Sequence, residues 1–115
     1  MEPIKLKVAF YRTESGTEPV RAWLKKLPQS DRKAIGEEIK TVQFGWPLGM
    51  PVVRKMEPSL WEVRCPLTGR IARILFTVEE DVMVLLHGFI KKSQKSPQQD
   101  LKTAKQRMAM LRRRS

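Results

Sequence analysis

The chain is poor in the residues that lock small proteins with covalent or metal links. It has one cysteine, Cys65, and one histidine, His87, in 115 residues. A single thiol excludes an intrachain disulfide, and one His and one Cys among scattered carboxylates give no metal-ligand spacing. No apolar run reaches the roughly 18 residues of a membrane span. Met1 to Phe10 has no signal-peptide core followed by a small-residue cleavage site. A reduced, cytosolic protein without a membrane partner is expected. Acidic residues are also few, 12 against 23 Lys and Arg, giving a net charge of +11. The excess is uneven: residues 1–90 balance to +3 (14 basic, 11 acidic) and residues 91–115 to +8 (9 basic and Asp100 alone). A polyanion, either nucleic acid or an acidic protein segment, is the natural partner.

A hydrophobic fraction of 41% supports a modest core, and the length suits one domain over residues 1–115. Ile4 to Tyr11 alternates apolar and polar residues and is predicted to be a strand. Pro19 opens a helix whose apolar face is Val20, Trp23, Leu24 and Leu27, ended by Pro28. Ser30 is expected to cap a second helix carrying Ile35, Ile39 and Val42, with Asp31 in its first turn and Gly45 as C-terminal cap. The short link predicts an antiparallel helical hairpin. Trp46 to Ser59, rich in Pro and Gly, reads as a loop in which Val52 and Val53 pair at most briefly. Three strands follow: Leu60 to Arg64, Arg70 to Phe76 and Val82 to Ile90, an antiparallel meander. Ser96, Pro97 and Gln99 form a helix-start signal, and Leu101, Ala104, Met108 and Leu111 give that helix an apolar stripe. The expected fold is a small α+β domain, β-α-α-β-β-β-α, with the helices on one face of a mostly antiparallel sheet.

Leu86-His87-Gly88-Phe89-Ile90-Lys91-Lys92-Ser93-Gln94-Lys95-Ser96-Pro97 concentrates chemistry at the exit of a core strand. A rigid element delivers cations to an edge there, as a polyanion site requires; the bland alternative is a strand ending in a solvated basic turn. Period-two alternation places His87, Phe89 and Lys91 on one face and Leu86, Gly88, Ile90 and Lys92 on the other.

This segment, with Tyr11 through Gly16, Glu18-Pro19-Val20, Leu60 to Arg64 and Arg70 to Phe76, resembles the phage-derived HigB-like toxins of the RelE/ParE superfamily. The resemblance runs from about residue 8 to residue 110. It implies a small RelE-like fold and the toxin of a type II toxin–antitoxin module. It further implies a ribosome-dependent messenger RNA endoribonuclease that needs no metal or cofactor, and a cognate helix-turn-helix antitoxin. Attack of the RNA's own 2′-hydroxyl on the adjacent phosphate would leave a cyclic phosphate and a 5′-hydroxyl.

That reaction needs a base, positive charge on the phosphorane and a proton for the leaving oxygen. Arg64 and Arg73, on adjacent strands, can fork onto phosphate oxygens; otherwise they are strand arginines paired with Glu62 and Glu79. His87 is the natural acid or base, or else a core-edge histidine bonded to backbone. Lys91 is assigned to charge stabilisation. Phe89 can stack a base or fill the core. Arg70, Lys92, Lys95 and the C-terminal helix, Lys102 included, would hold RNA backbone. Relatives place a tyrosine or aspartate near the chain end, whereas this tail runs Met110 to Ser115 with neither. Two other readings compete: a ParE-type gyrase inhibitor, and a non-enzymatic phage regulator that binds nucleic acid through its basic tail.

Overall fold

The computed structural model describes residues 4–91 and 98–114. A meander of long strands forms its centre: β2 (Val53–Glu57), β3 (Leu60–Leu67), β4 (Arg70–Glu79) and β5 (Val82–Lys91). Two-residue turns join them. Ser59, Gly69 and Glu80 take positive φ there, which lets the turn twist match that of the strands. The meander carries β5 back to β1 (Lys7–Phe10), and these two run parallel, so the sheet order is β1-β5-β4-β3-β2. α1 (Pro19–Lys25) and α2 (Gln29–Gly45) lie between β1 and β2 in the chain, and α3 (Gln98–Arg114) follows β5.

The α+β class, the two consecutive helices after β1 and the C-terminal helix stand as expected. Four details are corrected. Residues 53–57 form a fifth strand inside the segment read as loop. The Pro and Gly residues punctuate that segment but spare this window, and exposed Arg54 and Lys55 protect the new sheet edge. The sheet is mixed, because β1 pairs in parallel with β5. α2 starts at Gln29 with Pro28 at its N-cap and no side-chain cap, so Ser30 lies within the first turn; Gly45 is the last helical residue and Trp46 the C-cap. The helices also divide between the two faces.

α1 and α2 cover one face. Val20, Ile35, Ile39 and Val42 pack there on Val63, Cys65, Ala72, Ile74, Phe76, Met83 and Leu85. α3 lies on the other face, where Ala104 and Met108 meet Leu60, Leu75, Val84 and Leu86. Burial pushes the Cys65 thiol up to about 12, with the Glu38 carboxylate adding to it. The reactive thiolate is therefore absent at neutral pH. Native protein should resist alkylation that proceeds readily in denaturant; equal rates measured with a thiol reagent would contradict this burial.

Candidate functional site

The face occupied by α3 carries the polar residues of the three central strands other than Arg70. Alternation along β3 turns Trp61, Val63 and Cys65 to the hairpin side and leaves Leu60, Glu62 and Arg64 on the α3 side. Arg73 pairs across β3–β4 with Arg64 and across β4–β5 with Phe89, and Ile71 pairs with Lys91. Arg64, Arg73, Phe89 and Lys91 thus share one surface across three strands. His87 and Phe89 join it with rings nearly parallel, 5.8 Å apart at 26°.

One part of the alternation argument fails. Leu75 pairs with His87 but Phe76 with Leu85, so Leu86 is an extra residue in a bulge. Leu86 therefore packs with the α3 cluster, on the same side as His87 rather than opposite it. Gly88 and Ile90 do lie on the hairpin side.

Arg64 and Arg73 stand directly opposite each other, where like charges repel. The carboxylate nearest in the ladder is Glu62, whose side chain is completely buried. Its Oε1 accepts from Arg73 Nη1 at 2.8 Å. Glu62 Oε2, Arg64 Nε and Arg73 Nε are buried without hydrogen-bond partners among the described residues. Two guanidinium groups face one carboxylate and both Nε donors lack an acceptor, so cationic charge is in excess at this pair.

His87 is held by α3 at both ring nitrogens. Nε2 lies 2.6 Å from Asp100 Oδ1. Arg107 Nη1 donates to the Leu86 carbonyl at 2.8 Å and lies 3.3 Å from His87 Nδ1. A guanidinium only donates, so Nδ1 accepts and Nε2–H donates to the carboxylate: the neighbours dictate that tautomer. Burial pushes the Arg107 pKa down, offset in part by the coulombic influence of Tyr11. Replacing Asp100 by alanine should cost about 1–2 kcal/mol, a partly exposed charge-assisted hydrogen bond. A melting temperature equal to wild type would show that α3 does not depend on this bond.

The other expected site residues scatter. Arg70 turns to the hairpin side, where Nη2 meets both oxygens of Asp31 at 3.0 Å. It ties β4 to α2 and stays apart from the arginine pair. Lys102 is exposed on α3, along an open groove of about 410 Å³ that it lines with Leu101, Lys105 and Gln106. Lys92 and Lys95, like the Ser96-Pro97 start signal, lie outside the described residues. Among the described residues no three His, Cys, Asp or Glu side chains are placed to hold a metal ion, and no helix is long and apolar enough to cross a membrane.

A family model described as "Phage derived protein Gp49-like (DUF891)" matches residues 22–109, from within α1 into the last turns of α3. The chain belongs to this family. No curated protein matches it. The matched span of this Gp49-like protein holds the arginine pair, Glu62, and the histidine with its two α3 partners.

Three members of the site are not evident from the sequence. Glu62 is visible there only as a possible partner of the arginines, and its full burial depends on what covers the sheet. Asp100 stands out in the sequence only as the lone acid of residues 91–115, and Arg107 as one of the basic residues outside the apolar stripe of the last helix. The one available signal is helical spacing: Asp100 and Arg107 are separated by seven residues, hence on one face. In this Gp49-like protein, α3 thus brings a carboxylate to the site although the tail has none.

Proposed function

We propose that this Gp49-like protein is the cytoplasmic toxin of a type II toxin–antitoxin module, with a RelE-like fold of the HigB branch. In this reading it is an endoribonuclease that cuts messenger RNA on the ribosome. The observation that carries the proposal is the opposed pair Arg64 and Arg73, largely buried, short of counter-charge and bordered by Phe89 and Lys91. A phosphate diester supplies the missing negative charge and accepts from both forks.

The chemistry follows from the residues around that pair. The substrate's 2′-oxygen bonds to the adjacent phosphorus, its proton leaves to a base, and the P–O5′ bond breaks as the 5′-oxygen takes up a proton. The products are a 2′,3′-cyclic phosphate and a 5′-hydroxyl. Arg64, Arg73 and Lys91 stabilise the charge that grows on the phosphorane oxygens. His87 handles the proton through Nδ1, whose 3.3 Å contact with Arg107 is the longer of its two; Asp100 fixes the ring and stabilises the imidazolium. Phe89 stacks a base beside the scissile phosphate. Lys92, Lys95 and Lys102 hold the RNA backbone, and their share of the affinity falls with salt. Arg70, bound to Asp31, serves the fold. No metal or cofactor takes part. A cognate helix-turn-helix antitoxin with an acidic or helical segment would cover the cationic face and stop indiscriminate RNA binding.

The test is to map the 5′ ends of cellular RNA minutes after induced expression. New ends inside translated codons, abolished by an inhibitor of translation initiation, are expected. Unchanged RNA with arrested growth would overturn the nuclease in favour of a gyrase-directed toxin. Unchanged RNA with normal growth would leave a nucleic-acid-binding regulator.

A further inference from the structure

Glu62 is the one acidic residue of the described chain whose side chain is wholly inaccessible, and it lies in the middle of a cationic face. Its neighbours on that side are Leu60, two positions back on β3, Leu75, its cross-strand partner on β4, and Arg54, its partner on the edge strand β2. Apolar residues would fill such a position at no electrostatic cost, and a buried ion pair seldom stabilises a fold more than they do. A pair kept only for the fold would also close its polar atoms. Here Glu62 Oε2 and both arginine Nε atoms are buried yet have no hydrogen-bond partner among the described residues.

We infer that Glu62 is a positioning residue for phosphate capture: it holds the Arg73 guanidinium in the orientation that meets the scissile phosphate. The inference rests on the nuclease reading above. The grip is Oε1 on Nη1 at 2.8 Å. It occupies Nη1, and Nε is buried, so the exposed edge of the guanidinium is what remains for a ligand, while the charge of Glu62 offsets the repulsion between Arg73 and Arg64. With no exposed surface, Glu62 cannot reach a 2′-hydroxyl, so it does not act as the base. Its effect passes through Arg73.

Positioning and simple counter-charge make opposite predictions. Removing a carboxylate from a cationic RNA site should, on charge alone, tighten RNA binding and preserve or raise cleavage. Loss of a positioning contact should instead lower kcat while KM stays equal or falls, since a misplacement of about 1 Å in a reacting site can cost about 10²-fold.

The experiment measures cleavage of messenger RNA on programmed ribosomes by wild type, Glu62→Gln and Glu62→Asp, with a thermal melt of each. Glu62→Asp keeps the charge and withdraws the carboxylate by one methylene, so it remains informative if Glu62→Gln fails to fold. The expected result is a kcat at least about tenfold lower for Glu62→Asp, with KM unchanged and a cooperative melt. A folded Glu62→Asp with wild-type kcat overturns the positioning role, as does a folded Glu62→Gln in which cleavage rises along with RNA binding. A wild-type protein that cuts nothing on ribosomes defeats the nuclease reading itself, so the two failures are told apart.

Discussion

Arg73→Ala is expected to lower ribosome-dependent cleavage by about 10²–10³-fold, the usual loss when one preorganised donor to a developing oxyanion is removed. Arg73 sits on the central strand of the sheet, opposite Arg64 and beside Phe89, with its side chain only 12% exposed. A cation in so poorly solvated a place interacts strongly with a phosphorane, because little water screens it. Stability must be controlled, since Arg73→Ala also strands Glu62. Breaking one partner of a buried pair costs about 3–5 kcal/mol, enough to unfold a marginal domain and imitate loss of activity. Arg73→Lys separates the two effects. It keeps a positive charge against Glu62, so the fold should survive, but it lacks the planar fork that meets two phosphate oxygens. Cleavage should fall about tenfold or more with little change in the melting curve. Folded Arg73→Ala or Arg73→Lys protein with nearly full cleavage would remove Arg73 from the reaction.

Much of this arrangement is legible without coordinates. Trp61 and Val63 against Glu62 and Arg64 alternate cleanly, and a strand period of two fixes their faces. The register is less so: β3 runs on past Arg64 through Pro66 to Leu67, and only the resulting two-residue turn at Thr68-Gly69 sets Arg64 opposite Arg73. Three kinds of information are not local. The bulge at Leu86 depends on how β5 meets β4, and nothing in its own residues marks it. The parallel pairing of β1 with β5 joins elements some 70 residues apart and follows from closing the meander. The reach of Asp100 and Arg107 to His87 depends on α3 docking on the face opposite the helical hairpin. Arg70 shows the same limit from the other side. Its charge resembles that of Arg73, but the two lie three positions apart, an odd offset, and strand alternation sends Arg70 to Asp31.

A large effect on stability through packing alone is expected at Gly88, where the site meets α1 through the thickness of the sheet. A Cβ there would lie 2.5 and 2.6 Å from two carbons of the Trp23 ring. That ring belongs to α1 and packs against the core of the hairpin side. Flexible side-chain ends can step aside from such a contact, but a tryptophan ring packed on a strand backbone must tilt as a whole or push the strand away. Gly88→Ala should destabilise the protein by about 2–3 kcal/mol, at the upper end of overpacking costs. That corresponds to a melting temperature lower by roughly 10 °C. Gly36→Ala is the contrasting substitution. Gly36 lies within α2, and a Cβ added to it would meet nothing within 4 Å, so alanine there should stabilise by up to about 1 kcal/mol through helix propensity. Opposite signs from the same chemical change separate close packing from a general intolerance of glycine replacement. The displaced strand also carries His87 and Phe89 on either side of Gly88, so Gly88→Ala should lose cleavage at temperatures where it is still folded. Trp23→Leu in the same chain would free the space and recover part of both losses. A Gly88→Ala protein that melts with or above the wild type would show that the indole does not bear on β5, and that α1 has no hold on the reactive strand.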